Sequence, residues 1–163
     1  MEVRLVIVLK SDQLYVQFQT LGGALSSIKD KEGVEYLWQG DPTYWSGQAP
    51  VLFPICGSVR NDTVLYDKED GSQKEGKIPR HGLVRKKEFT LVEQTDNSVT
   101  FAIEDDEEMY ANYPYHFRLE ITYTVTGKTI RTQYKIYNKE SEKSMPYFIG
   151  GNPGFNCPLL DEE

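Results

Sequence analysis

Phe117-Arg-Leu-Glu-Ile-Thr-Tyr-Thr-Val-Thr-Gly-Lys-Thr-Ile-Arg-Thr-Gln-Tyr-Lys-Ile136 is the stretch whose reading decides the fold. Phe117, Leu119, Ile121, Tyr123 and Val125 alternate with Arg118, Glu120, Thr122 and Thr124. Beyond Gly127-Lys128 the alternation resumes at Ile130, Thr132, Tyr134 and Ile136. Period two on both sides of a two-residue turn that opens with Gly is the signature of a β-hairpin. One face of this ribbon is apolar and the other hydrophilic, so it covers a core on one side only.

Weaker copies of the pattern run through the rest of the chain. Val3–Leu9 and Leu14–Phe18 read as a hairpin around Ser11-Asp12-Gln13, and Leu25–Lys29 and Tyr36–Trp38 flank a turn at Asp30–Gly33. Glu88–Val92 and Ser98–Ile103 flank another at Gln94–Asn97. Short strands at such spacing predict an all-β fold, an antiparallel β-sandwich formed by residues 1–163 as one domain. Asp105–Tyr110 is the one helical candidate, with acids at the end the helix dipole favours. Asp67–Lys77 is charged and Gly-punctuated and reads as an exposed loop.

Composition agrees. Of 163 residues 12% are aromatic, with 11 Tyr and 7 Phe, which suits pleated surfaces. The net charge of −7 excludes a nucleic-acid partner and gives no support to an anionic membrane surface. The apolar run Leu5–Leu9 is too short for an export signal or a membrane span. Cys56 and Cys157 lack metal-type spacing, and the expectation is buried free thiols in a reducing cytoplasm. The chain closes on Pro146–Pro158, a strand entering a Gly/Pro loop, and then Leu159-Leu-Asp-Glu-Glu163. An ending so rich in turns suggests a packing partner, so the sequence reads as interrupted.

Two segments suggest a polar pocket. Pro50-Val-Leu-Phe-Pro-Ile-Cys-Gly57 is apolar, breaks at Gly57 and delivers Arg60. Ile78-Pro-Arg-His-Gly-Leu-Val-Arg85 carries His81, one of two histidines. Arginine offers a planar fork of donors and histidine a proton donor or acceptor near neutral pH. The bland alternatives are a surface ion pair for Arg60 and a backbone-bonded loop residue for His81. His116 falls on the polar face of the hairpin and is expected in solvent, as is the acidic run Asp105–Glu108. No metal site is expected.

Together with Gly22–Ile28, Trp45–Arg60, Tyr113-Pro-Tyr-His-Phe117 and Pro146–Pro158, these segments resemble the aldose 1-epimerase (galactose mutarotase-like) family, in its LacX-type branch. The resemblance covers essentially the whole chain and implies the N-terminal portion of a β-supersandwich about twice this length. It implies interconversion of the α and β anomers of a hexose or hexose phosphate, without cofactor or metal. A general acid at the ring oxygen and a general base at the anomeric hydroxyl would open and reclose the ring. It further implies that Arg60, with Asn61, and His81 hold sugar hydroxyls. Trp45 beside Tyr44 either stacks on the sugar or caps the core.

The sequence departs from the family pattern at the acid. Asn152 stands where a histidine is expected, and an amide has no titratable proton to give. The base is expected beyond Glu163. Two readings therefore stand open: an epimerase-like protein with impaired activity, and a non-catalytic carbohydrate-binding or regulatory module. A homodimer through exposed sheet edges is a third expectation, for the partner.

Overall fold

The computed structural model describes residues 6–157. A three-stranded antiparallel sheet is formed by β1 (Val6–Lys10), β2 (Leu14–Gln19) and β3 (Ala24–Asp30), in that order. The short strand β4 (Val51–Leu52) leads to the hairpin β5 (Thr63–Asp67) and β6 (Gln73–Lys77). Next come β7 (Thr90–Gln94), β8 (Ser98–Glu104), a short helix α1 (Glu107–Asn112), β9 (Phe117–Thr126) and β10 (Thr129–Asn138). These four strands form a second antiparallel sheet in the order β10-β9-β8-β7. A last strand, β11 (Gly150–Gly151), pairs with β4. The all-β antiparallel reading holds.

The two larger sheets meet across an aromatic contact. Phe18 of β2 lies 4.8 Å from the ring of Tyr123 on β9 and 6.4 Å from Phe101 on β8. Alternation on β9 buries Phe117, Leu119, Ile121, Tyr123 and Val125, all five apolar residues of the quoted strand. Burying side chains of this size stabilises by about 1.5–3 kcal/mol each, which makes β9 the spine of the core. The Tyr123 hydroxyl donates to the Gly23 carbonyl at 2.9 Å, so the polar tip of the ring is satisfied inside the sandwich.

β10 follows the same alternation without the same burial. Ile130, Tyr134 and Ile136 stand opposite Val125, Ile121 and Leu119, yet all three remain half-buried. β10 is the outer strand of its sheet. Between it and β3 runs a groove of about 750 Å³ lined by Leu14, Leu25, Ile28, Tyr36, Ile130 and Phe155 among others.

Several expectations need correction. Asp67–Lys77 is not wholly loop: Gln73–Lys77 pairs with Thr63–Asp67 despite lacking apolar alternation. Gly76 packs so tightly on the Asn112 carbonyl that a Cβ would lie 1.9 Å from the oxygen. The helix starts two residues later than expected, with Asp106 as its cap, accepting from the Met109 N–H at 2.7 Å. The acidic run is not simply solvated. The Asp105 side chain is 9% exposed and binds His116 Nδ1 at 2.7 Å. His116 also stacks on Tyr110 at 4.3 Å. Cys56 and Cys157 are free but exposed, not buried, because both lie on the loops around β4 and β11. Residues 3–5 of the first expected strand lie outside the described residues.

Candidate functional site

His81 sits in a tight turn closed by the Gly82 N–H donating to the Pro79 carbonyl at 2.9 Å. Its own φ is +69°, a conformation that a residue with a Cβ adopts only under constraint. The constraint is visible. The His81 N–H donates to the Gly57 carbonyl at 2.7 Å, and the Gly57 N–H donates back to His81 Nδ1 at 3.1 Å. Gly57, with φ +88°, makes the bend that aims its N–H at the ring.

Two obligatory donors point at the ring: the Gly57 N–H at Nδ1, 3.1 Å away, and the Arg80 Nε–H at Nε2, 3.2 Å away. A neutral imidazole has one N–H and one lone pair, so it accepts from one of the two at a time. Partial burial, then the cations of Arg80 and Arg85, hold the His81 pKa below the ordinary histidine value. The shift favours the neutral ring.

Arg60 lies on the partner loop. The chain turns through two left-handed residues, Asn61 (φ 55°) and Asp62 (φ 51°). The Asp62 carbonyl then accepts the Ile78 N–H at 2.8 Å. The loops at 57–62 and 78–82 are thus tied at both ends, by Gly57 to His81 and by Asp62 to Ile78. Arg60 and Asn61 are exposed between the ties. Among the described residues the Arg60 guanidinium has no carboxylate partner within 4.0 Å, so the surface ion pair weighed from sequence is not formed.

Asn152 and Trp45 belong to the other end of the same segment. β11 pairs with β4, the Phe148 N–H donates to the Pro54 carbonyl at 2.8 Å, and the Asn152 N–H donates to Pro50 at 3.1 Å. The Asn152 side chain is exposed. Trp45 is 37% exposed and its ring lies against Gly47 and Gly154. A Cβ on Gly151 would come within 2.8 Å of the Tyr134 hydroxyl, which fixes the loop against β10. Trp45 and Asn152 therefore gather at the Pro50 end, and Arg60, Asn61 and His81 at the Gly57 end. Sequence reasoning flagged the break at Gly57 but missed its role as the group that orients His81. No local pattern links residues 24 positions apart.

This architecture, an antiparallel β-sandwich, is that of galactose mutarotase-like structures. The chain belongs to the aldose 1-epimerase family, whose model matches residues 5–163. It is similar to Protein LacX of Lactococcus lactis subsp. lactis, in chromosomal and plasmid versions, each 58% identical over 159 residues. Those matches cover 98% of this chain and 53% of the relative, so the chain spans about half the length of the curated relatives it matches. Among solved structures it is similar to a galactose mutarotase related enzyme from Lactobacillus acidophilus, with 30% identity and a TM-score of 0.89. That match covers 98% of this chain and 51% of the other. It is also similar to a galactose mutarotase-like protein from Lactobacillus casei, with 28% identity, a TM-score of 0.87, and coverage of 97% and 52%.

Among the described residues no helix is long and apolar enough to cross a membrane.

Proposed function

We propose that this chain carries the sugar-holding part of an aldose 1-epimerase-like protein acting on a hexose or hexose phosphate in the cytoplasm. The observation that supports this reading is the Gly57–His81 pair, which holds the imidazole on a loop doubly tied to the Arg60 loop. A neutral imidazole can donate or accept, and the Arg60 guanidinium, which has no carboxylate within 4.0 Å among the described residues, donates; both suit hydroxyl and ring oxygens. Asn61 adds an amide beside Arg60, and the exposed part of Trp45 offers apolar area to a sugar face.

Anomer exchange needs a proton delivered to the ring oxygen and another taken from the anomeric hydroxyl. Asn152 stands at the acid position, where its amide can bond the ring oxygen but cannot transfer a proton. An amide in place of a proton donor at that position impairs turnover.

NMR exchange on freshly dissolved α-galactose and α-glucose tests the reading. The 163-residue chain gives saturable sugar binding and little acceleration over buffer. Asn152→His, in the chain extended by the remaining half of a relative, raises the rate by about 10²-fold or more, the contribution of a placed general acid. An unchanged rate in a folded protein removes Asn152 from the acid position.

The second reading, a non-catalytic carbohydrate-binding module, is favoured by the Asn152 amide. It predicts that the extended Asn152→His protein still binds sugar without turnover. The outer edge of β10, which pairs with no further strand among the described residues, is the natural site for a homodimer. Light scattering that shows only monomer across a concentration series would remove the dimer.

A further inference from the structure

We propose that the cleft at the tip of the β5–β6 hairpin is a binding site for a small aromatic carboxylate, separate from the loops that carry Arg60 and His81.

The hairpin sets the separation. Its base pairs Thr63 with Lys77, next to the Asp62–Ile78 bond that ties the Arg60 loop. Its tip pairs Asp67 with Gln73, at the other end of two five-residue strands. There a concavity of about 590 Å³ opens between the hairpin and two further segments, Pro114–Tyr115 and Lys143–Ser144.

The side chain that points to a ligand is Tyr66, which lines this cleft yet is only 8% exposed. Its ring packs against Tyr113 at 6.2 Å and Tyr115 at 5.9 Å, edge to face in both pairs. Its hydroxyl makes no hydrogen bond among the described residues, although a buried phenol normally has a partner. No wholly enclosed side-chain polar atom among the described residues lacks a partner, so this hydroxyl is open to the cleft. Burial, and then the neighbouring Tyr115, push its pKa up to about 12. At neutral pH it therefore keeps its proton and offers a donor.

The charges around it point the same way. Lys68, Lys74 and Lys143 line the cleft, and none pairs with a carboxylate among the described residues. Lys74 is held by the Tyr110 carbonyl at 3.3 Å, while Lys68 and Lys143 are exposed. Three acids share the rim. Asp67 accepts from Gln73 at 2.9 Å, and Asp70 accepts from the Ser72 N–H at 2.9 Å and its hydroxyl at 2.6 Å, so both are engaged within the hairpin. Glu69 alone makes no such bond. The groups left without partners are a phenol O–H and two ammonium groups against one carboxylate. A carboxylate ligand accepts charge-assisted hydrogen bonds from all three donors. Pro114 and the half-buried ring of Tyr115 add flat apolar area, which suits an aromatic ring.

The walls are held in place before a ligand arrives. The Tyr113 hydroxyl donates to the Pro146 carbonyl at 2.8 Å, and Asn138 Nδ2 to the Lys143 carbonyl at 2.7 Å. The Lys68 N–H donates to the Ser72 carbonyl at 2.8 Å. Preorganisation of this kind reduces the entropy lost on binding.

The test is an amide NMR titration of the 163-residue chain with benzoate, and with acetate and benzyl alcohol as its two halves. Benzoate gives saturable shifts at Tyr66, Tyr115 and Ser144, binds at least about tenfold more tightly than either half, and is weakened by salt. Tyr66→Phe keeps the ring and lowers benzoate affinity about tenfold. Lys143→Gln lowers it about threefold, and Glu69→Gln raises it about twofold. Should Tyr66→Phe fail to fold, the two exposed positions decide, and unchanged affinity at both overturns the proposal. Unchanged affinity in a folded Tyr66→Phe protein overturns it too. So does equal affinity for benzoate and acetate, because the ring then has no role, and so do benzoate shifts at Gly57 and His81 with none at Tyr66.

Discussion

His81 and Gly57 hold each other by two hydrogen bonds, one in each direction: the histidine N–H to the glycine carbonyl at 2.7 Å, and the glycine N–H to the imidazole Nδ1 at 3.1 Å. The second bond exists only while Nδ1 is unprotonated. The conformation of this loop is therefore tied to the charge state of one ring.

The pH dependence follows from the sign of that tie. The folded His81 pKa lies below the unfolded value of about 6.5, so the unfolded chain binds the proton more readily. The stability it contributes is present above the unfolded value and is lost as pH falls through the lower folded one. An NMR titration of the two histidines is expected to place the His81 midpoint below about 6.5. The Gly57 amide resonance should move in the same pH range. A His81 midpoint at or above the ordinary value contradicts the clamp.

Tyr123→Phe tests the join between the sheets. The substitution keeps the ring that packs on Phe18 and removes the hydroxyl that satisfies the Gly23 carbonyl at 2.9 Å. A buried carbonyl left without its donor costs about 1–2 kcal/mol. Urea unfolding should show a lower midpoint with an unchanged slope, and an unchanged midpoint would mean the bond contributes nothing.

Two glycines should behave differently on replacement by alanine. At Gly82 (φ +85°) the added Cβ would lie 2.0 Å from the Phe53 carbonyl oxygen, which must move. At Gly57 (φ +88°) the Cβ meets nothing within 4 Å, so only the backbone conformation is strained. Gly57→Ala is expected to cost about 1–2 kcal/mol and Gly82→Ala clearly more. Equal costs in chemical denaturation would show that the packing of Gly82 on Phe53 does not matter.

The sandwich was legible because β9 announces itself. Five apolar residues at period two, followed by Gly-Lys and a second alternating run, admit one local structure, and the core formed on that face. β10 shows where pattern stops being enough: Ile130, Tyr134 and Ile136 alternate correctly, but burial depends on what faces them, and they remain half-buried. β6 was invisible, because Gln73-Lys-Glu-Gly-Lys77 is a strand only through pairing with β5 and through contacts of Gly76 and Lys77 with Asn112. At the site, the residue types on the two loops could be read. The link between them could not, since the Gly57–His81 and Asp62–Ile78 bonds join distant positions through the fold. The acidic run shows the same limit, with Asp105 spent on His116 and Asp106 on capping α1.

The most direct measurement is an amide and imidazole NMR titration of this chain with galactose. Saturable shifts are expected at the Gly57 amide, at Arg60 and at the His81 ring, all fitting one dissociation constant. A folded chain in which those three signals stay fixed while sugar is added to high concentration would contradict the assignment of these loops to sugar binding.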